Sequence, residues 1–184
     1  MTQLATSRLT LRDFTADDLP EFAALHAEPS TMADLGGPIS QTESRAKLQR
    51  YLDGLKQFGT SRMYVSDAQG FVGYVGVVIR GDNHPLGSHG EIGWRLLPRA
   101  WGEGYAPEAA RAVLTHAFAI TGLPCIYAHT APDNQKSQAV MRKLNLTRCP
   151  ELDFVEDYPP IGQWHGRVWV AARADYAGFT GGIE

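Results

Sequence analysis

Two glycines near the middle of the chain have the spacing of an anion-binding loop. Gly102 and Gly104 lie in the segment Trp-Gly-Glu-Gly-Tyr-Ala-Pro, residues 101–107, between a strand-like run and an alanine-rich helix predicted to begin near Pro107. The first backbone N–H groups of a helix have no intrahelical partner and carry the positive end of its dipole. Glycine lets the backbone turn sharply and approach a ligand closely. The segment is therefore predicted to bind phosphate groups largely through its main chain.

Two familiar phosphate-binding motifs do not fit this loop. A nucleotide P-loop ends in Gly-Lys followed by Ser or Thr, and the chain contains no such ending. The dinucleotide fingerprint needs a small residue where Pro107 stands and an acidic residue about 20 positions further on, where the chain has Pro124, Cys125 and Ile126. Because 19 of the 184 residues are glycine, the position of the loop between a strand and a helix carries more weight than its spacing.

The composition is typical of one soluble globular domain. The chain has 184 residues, of which 43% are hydrophobic and 20% are charged, enough to bury a core without metals or disulfides. A formal net charge of -3 gives no footprint for sequence-independent nucleic-acid binding. The sequence has no apolar run of membrane-spanning length and no leader pattern, so we expect a cytoplasmic protein with no membrane partner. Cys125 and Cys149 are expected to be reduced thiols.

Strand and helix patterns alternate along the chain. Thr15 and Asp18 resemble a capping box, and Ser40 and Glu43 form a second one that begins a helix predicted to end near Gly59. The turn residues Asp-Ala-Gln-Gly at 67–70 separate the runs 62–66 and 71–79, which are predicted to form a hairpin. The other predicted elements are strands at residues 8–14, 91–97, 125–130 and 167–172, helices at 107–121 and 134–144, and a loop at 81–90. The prolines in residues 149–166 leave that segment without an assignment.

Two blocks of the sequence resemble conserved motifs of the GNAT superfamily of N-acetyltransferases. The first, residues 91–109, contains the glycine loop, and the second is Asn-Gln-Lys-Ser at 134–137 followed by Met-Arg-Lys-Leu-Asn at 141–145. The resemblance spans about residues 8–146 and is closest to RimJ/RimL-type enzymes, named for the acetylation of ribosomal-protein N-termini. It implies a single α/β domain over residues 1–184. The expected sheet is mixed and mostly antiparallel, is splayed at two central parallel strands, and has helices on both faces.

The resemblance implies acetyl-CoA as a cosubstrate. Trp101 stands where the family's general pattern has Gln or Arg, so the phosphates would depend on backbone donors, and Pro107 removes one of these. Two interpretations of Arg99 stay open: it contacts the phosphates, or it is a solvated arginine of the loop. The residues implied to bind CoA are Leu96, Leu97, Arg99, Trp101, Gly102, Glu103, Gly104, Tyr105, Ala106, Asn134 and Ser137.

Acetylation of an amine requires a neutral amine and benefits from a proton for the departing thiolate. Many family members supply that proton from a tyrosine at the position where this chain has Met141. By resemblance to the RimJ/RimL type, Ser137 would hydrogen-bond the CoA sulfur. The first candidate for the base is Glu91, a strand carboxylate near the expected splay, and the second is Glu156, in a segment where RimJ/RimL-type enzymes would bring a carboxylate to the acceptor. Three alternatives stay open: Ser137 as a helix-surface residue, Glu91 paired with Arg95 along a strand, and Glu156 as a solvated acid.

The sequence therefore predicts direct acetyl transfer to a primary amine, either a protein N-terminus or a small molecule. A covalent acyl-enzyme is not expected, because neither cysteine has a histidine partner suggested by the sequence. No metal is expected, because His26, His129 and His165 lack metal-ligand spacing. The main alternative is a non-catalytic acyl-CoA-binding module, and a homodimer is left open.

Overall fold

The computed structural model describes residues 1–159 and 161–176. Its strands are β1 (Gln3–Ala5), β2 (Thr10–Asp13), β3 (Arg62–Asp67), β4 (Gly70–Arg80), β5 (His89–Leu96), β6 (Cys125–Thr130), β7 (Thr147–Arg148), β8 (Phe154–Tyr158) and β9 (Gly162–Ala172). The sheet order is β1-β2-β3-β4-β5-β6-β9-β7, and β8 pairs with β9. Neighbouring strands are antiparallel except for β5 and β6, so the predicted mixed, mostly antiparallel sheet is confirmed.

Helices cover both faces of this sheet, as predicted. They are α1 (Leu19–Ala27), α2 (Pro29–Met32), α3 (Gln41–Phe58), α4 (Tyr105–Ile120) and α5 (Gln135–Lys143). Phe22 of α1 and Leu48 of α3 belong to one buried cluster, while Leu114 of α4 and Met141 of α5 belong to a second. Among the helices of the described residues, none combines the length and the apolar character that a membrane crossing requires.

The parallel strands β5 and β6 separate soon after they meet. Glu91 and Tyr127 form their single register pair, whereas β4 and β5 share eight pairs and β6 and β9 share six. Both strands continue past this pair, β5 to Leu96 and β6 to Thr130. The predicted splay is therefore confirmed, and it leaves a gap into which β5 presents unpaired backbone.

Helix α4 begins two residues earlier than predicted. Gly104 is its N-cap, with a φ of 79° that favours glycine, so Pro107 is the third helical residue and not the first. Proline is still tolerated there because the first-turn N–H groups have no intrahelical acceptor.

The segment that the sequence left unassigned forms a hairpin of β8 and the first part of β9. Phe154 pairs with Gly166, and Tyr158 pairs with Gly162. Strand β9 therefore begins five residues before the predicted start at residue 167, since β8 supplies these extra residues with a partner. Prolines flank β8 at positions 150 and 159, which hid a short strand between two turn signals.

His26 is buried on α1 and is expected to make stability depend on pH. Its Nδ1 lies 2.8 Å from the Phe22 carbonyl and its Nε2 lies 3.3 Å from the Tyr74 hydroxyl. Burial, with a further contribution from the charge of Lys47, lowers the pKa of His26 from 6.5 to about 3. Because the folded pKa lies below the unfolded value, protonation of His26 favours the unfolded state. The contribution of neutral His26 to stability is therefore fully present above pH 6.5 and is lost as the pH falls toward the folded pKa.

We expect the free energy of unfolding to fall by up to about 1.4 kcal/mol per pH unit over this range. Urea titrations at several pH values should show a shallower slope for His26→Gln than for the wild type. His165→Gln, at an exposed position, is the control and should keep the wild-type slope. Equal slopes for His26→Gln and the wild type would contradict this account of His26.

Candidate active site

Two cavities meet at the gap between β5 and β6. The first has a volume of about 930 Å³ and is bounded by the end of β5, the glycine loop and the start of α5. The second has a volume of about 1010 Å³ and is bounded by α3, β4, β5, β6 and the β8–β9 hairpin. Both are lined by Asp34, Trp94, Arg95, Ser137 and Trp164. Two molecules bound in the two cavities can therefore meet beside these shared residues.

The glycine loop presents a row of free backbone donors to the first cavity. Gly102 and Gly104 have φ values of 83° and 79°, and every residue of the loop 101–107 except Glu103 lines the cavity. Within the described part of the chain, the N–H groups of residues 102–106 have no hydrogen-bond partner. With the positive end of the α4 dipole behind them, these donors suit a phosphate group.

The loop is anchored by the first turn of α4. The Glu108 carboxylate accepts hydrogen bonds from the Thr6 hydroxyl at 2.6 Å and from Arg8 Nε at 2.8 Å. Arg8 Nη1 in turn donates to the Glu103 carbonyl at 2.9 Å. These contacts fix the loop from the side opposite the cavity, because Glu103 and Glu108 do not line it.

Lys136 is a cavity residue that the sequence interpretation missed. Its Nζ lies 3.7 Å from the centre of the Trp101 ring, a cation–π contact that also places a positive charge beside the glycine loop. Trp101 Nε1 donates to the Leu96 carbonyl at 2.8 Å, which fixes the ring across the end of β5. Lys136 could have been identified from the sequence, because it is the only cation of the Asn-Gln-Lys-Ser block.

Two residues predicted to bind CoA are engaged elsewhere. The Leu97 N–H donates to the Val72 carbonyl, and the Leu97 carbonyl accepts from the Ala100 N–H. Arg99 donates to Asp67 and to the Phe71 carbonyl, and it does not line the first cavity. Of the two interpretations of Arg99, that of a loop arginine fits the structure better than that of a phosphate ligand. An ion pair with Asp67 holds its side chain in place.

Leu96 keeps one free group at the gap. It stands opposite Gly73 in the register of β4 and β5, and the bond from Leu97 to Val72 marks this as a non-hydrogen-bonded pair. The N–H of Leu96 therefore points away from β4, toward the separated β6. The N–H of Trp94, two residues earlier, points the same way.

Asn134 and Ser137 are brought together at the start of α5. The Asn134 Oδ1 accepts from the Ser137 N–H at 3.0 Å, and its Nδ2 donates to Asp34 at 3.3 Å. Asn134 is thus the N-cap of α5, a role that the sequence left compatible with ligand binding. In the described structure, the Ser137 hydroxyl has no hydrogen-bond partner and faces the junction of the two cavities.

Glu91 lies in the second cavity, but its carboxylate is already occupied. Oε1 accepts from Arg62 Nη2 at 2.8 Å, and Oε2 lies 2.6 Å from Arg80 Nε and 3.0 Å from His129 Nε2. Burial alone would raise the pKa of Glu91, but His129 and the two arginines outweigh it and hold the pKa well below its usual range. The predicted alternative partner, Arg95, instead pairs with Asp34 at 2.9 Å. Glu91 is therefore a poor proton acceptor, which argues against its predicted role as the base.

Two histidines lie beside the same carboxylate, although the sequence interpretation treated His129 as a lone residue. Ligating atoms of His84, Glu91 and His129 lie within 4.8 Å of one another, an arrangement that offers metal ligands. Arg62 and Arg80 already bind this carboxylate and would repel a divalent cation. The expectation of no metal stays a prediction.

Glu156 reaches the second cavity from the β8–β9 hairpin. It stands opposite Trp164 in the register, and both side chains line the cavity that also contains Ser137. Unlike Glu91, it makes no hydrogen bond or ion pair within the described residues. The neighbouring Asp157 points to the other face of the strand and does not line the cavity.

Comparison with known proteins agrees with this architecture. The profile of the acetyltransferase (GNAT) domain matches residues 8–147. The acetyltransferase from Agrobacterium tumefaciens has a similar structure, with a TM-score of 0.75, 26% identity, and coverage of 93% of this chain and 94% of that chain. RimL, the ribosomal L7/L12 alpha-N-protein acetyltransferase solved with coenzyme A, shares the fold at a TM-score of 0.74 and 16% identity, with coverage of 93% and 98%.

Among curated relatives, the FsC-acetyl coenzyme A-N(2)-transacetylase of Aspergillus fumigatus is 38% identical over 78 residues. This match covers 42% of the present chain and spans about a third, 33%, of the relative's length. Because the domain profile matches well over half of the chain, the chain belongs to the GNAT acetyltransferase family. The family resemblance read from residues 8–146 is thereby confirmed.

Proposed function

We propose that this protein transfers an acetyl group directly from acetyl-CoA to a primary amine and that it belongs to the RimJ/RimL type. The observation that carries the proposal is the junction of the two cavities at Ser137. One cavity offers backbone donors suited to a diphosphate, and the other contains an unpaired carboxylate, Glu156. A thioester that follows the splayed β5 from the first cavity would end where an amine enters from the second.

The residues of the first cavity divide the binding of acetyl-CoA between them. The N–H groups of residues 102–106 hold the diphosphate, with Lys136 adding positive charge. The N–H groups of Trp94 and Leu96 face the gap between β5 and β6 and bond the pantetheine arm and the thioester oxygen. An N–H at that oxygen stabilises the negative charge that develops there during attack.

Glu156 acts on the attacking amine, and Ser137 acts on the departing sulfur. Glu156 accepts a proton from the amine, directly or through a water molecule, so that the nitrogen can attack the thioester carbon. As the carbon–sulfur bond breaks, the Ser137 hydroxyl donates a hydrogen bond to the departing sulfur. Glu91 takes no proton in this scheme and keeps Arg62, Arg80 and His129 in place behind the acceptor.

Thiol release from acetyl-CoA in the presence of a panel of amines tests the proposal. We expect release that depends on the amine, together with a product whose mass has gained one acetyl group. Tight CoA binding without turnover on any amine would instead support the non-catalytic acyl-CoA-binding module. The cytoplasmic location, the extent of the domain over residues 1–184 and the homodimer stay predictions.

Ser137→Ala is expected to lower kcat by roughly 10- to 100-fold, the effect of losing one hydrogen bond to a developing charge. The dissociation constant of CoA should change much less, because backbone groups supply most of that binding. Steady-state kinetics and calorimetry measure the two quantities. Gln135→Ala, an exposed position at the start of the same helix, is the matched control, and an unchanged kcat in Ser137→Ala would remove Ser137 from the mechanism.

A further inference from the structure

Helix α3 turns a lysine without a counterion toward the second cavity. Lys47 lines this cavity and is half-buried. Within the described residues, its ammonium group makes no hydrogen bond and no ion pair. Arg50, one turn further along α3, lines the same wall and is also without such a partner in the described structure.

The arginines on the strands of this cavity are neutralised by carboxylates of the protein. Arg62 and Arg80 both bind Glu91, and Arg95 binds Asp34. Lys47 and Arg50, both on α3, thus differ from the three strand arginines because they lack an anionic partner. A half-buried charge of this kind costs free energy unless an opposite charge comes to it.

The two carboxylates of α3 line the same cavity as Lys47 but are hydrogen-bonded to other groups. Glu43 is four residues earlier, the spacing at which a glutamate usually pairs with a lysine on a helix. Its carboxylate instead closes the capping box, accepting from the Ser40 N–H at 2.8 Å and from the Ser40 hydroxyl at 2.6 Å. Asp53 accepts from Gln49 at 2.8 Å, so neither acid neutralises Lys47.

The environment of Lys47 favours an incoming anion. Burial lowers the pKa of Lys47, and the charges of Arg95, Arg62 and Arg50 lower it further, against an opposing contribution from Tyr51. A carboxylate beside the ammonium group would relieve both the burial and the repulsion between the cations. The same cavity contains Glu156, the proposed base, on its β8 side.

We propose that the acetyl acceptor is an amine that also carries a carboxylate, and that Lys47 binds this carboxylate while the amine lies toward Glu156 and Ser137. The inference rests on the proposed function and narrows its substrate class. Polyamines and other purely cationic amines are disfavoured, because they would bring more positive charge to Lys47 and Arg50. Two sources share the required chemistry: a free amino acid, and a peptide with an acidic side chain close to its N-terminus.

Matched pairs of acceptors test this inference with the full-length protein. The first pair is a free amino acid and its carboxamide, and the second is a short peptide with Glu near its N-terminus and the same peptide with Gln. We expect kcat/KM to be roughly 10- to 100-fold higher for the carboxylate member of one pair, as for a hydrogen-bonded charge pair. The preferred pair identifies the source. No preference in either pair, or a preference for a polyamine, would overturn the inference.

Variants of α3 link the preference to Lys47. Lys47→Gln should raise KM for the carboxylate acceptor, leave kcat close to the wild-type value, and remove the preference, while Lys47→Arg should retain it. Arg45→Gln removes the same charge from an exposed position of α3 that lines neither cavity, and should behave as wild type. A preference that survives in Lys47→Gln and in the double variant Lys47→Gln/Arg50→Gln would contradict the assignment.

A binding measurement separates this inference from the proposed function. Glutarate, which has carboxylates but no amine, should raise the melting temperature of the wild type and of Arg45→Gln, and should leave that of Lys47→Gln unchanged. Glutarate binding through Lys47 without turnover on any amine would support the carboxylate site and overturn the transferase proposal. Turnover on amines without any effect of glutarate or of Lys47→Gln would do the reverse.

Discussion

Glu156→Gln is expected to lower kcat by about 10²- to 10⁴-fold, the usual contribution of a general base. Glutamine has nearly the same shape as glutamate but cannot take up the amine proton. Because Glu156 lies in the second cavity and not in the first, the affinity for acetyl-CoA should stay close to that of the wild type. Steady-state kinetics on the best amine and calorimetry with CoA measure the two effects.

Asp157→Asn is the matched control for this variant. It removes one negative charge from the same strand, but at a position that does not line either cavity. We expect wild-type kcat for Asp157→Asn. Wild-type kcat for Glu156→Gln would exclude Glu156 as the base, and equal losses in both variants would indicate a general effect of charge.

Glu91→Gln is expected to destabilise the protein by about 3–5 kcal/mol, as is usual when one partner of a buried ion pair is removed. Only 5% of Glu91 is exposed, and it is the anion that neutralises the buried Arg62. Glutamine leaves that arginine and Arg80 facing each other without a negative charge between them. The free energy of unfolding from urea titration measures this loss.

The second variant needed here is Glu91→Gln combined with Arg62→Met. Because the double variant removes both charges, it should recover part of the stability lost in Glu91→Gln. The contribution of Glu91 should also depend on pH. Since its folded pKa lies well below 4.5, the stabilisation is present above that pH and is lost as the pH falls below it. A Glu91→Gln variant as stable as the wild type would contradict the role of this carboxylate.

Local signals in the sequence predicted much of the fold. The capping box of Ser40 and Glu43 is present at the start of α3, and the helix ends at Gly59 with a φ of 70°. The turn after Asp67 joins β3 and β4 as predicted. Such features depend on residues close together in the chain, so their physical causes can be read without knowledge of the tertiary structure.

The partners of the charged residues could not be predicted in this way. Glu91 finds Arg62 from a strand 29 residues away, and Arg95 finds Asp34 across 61 residues. Nothing along the sequence distinguished these pairs from the local alternative of Glu91 with Arg95. Which carboxylate is free to act as a base is decided by such long-range pairs, and this is why the sequence interpretation placed Glu91 ahead of Glu156.

The glycine loop depends on residues close together in the chain, whereas the second cavity depends on residues far apart. Gly102, Gly104 and the start of α4 form one continuous segment, so the sequence could identify a phosphate site there. The acceptor cavity combines α3, β4, β5, β6 and the β8–β9 hairpin. The side chains that line this cavity could therefore be identified only from the tertiary structure, and Lys47 is one of them.

A crystal structure of this protein with CoA would locate all the proposed contacts with the acetyl donor in one experiment. We expect the diphosphate on the N–H groups of residues 102–106, the pantetheine arm along the free side of β5, and the sulfur beside the Ser137 hydroxyl at the junction of the two cavities. CoA bound outside the first cavity, or with its sulfur pointing away from Ser137 and the second cavity, would contradict this placement of the acetyl donor.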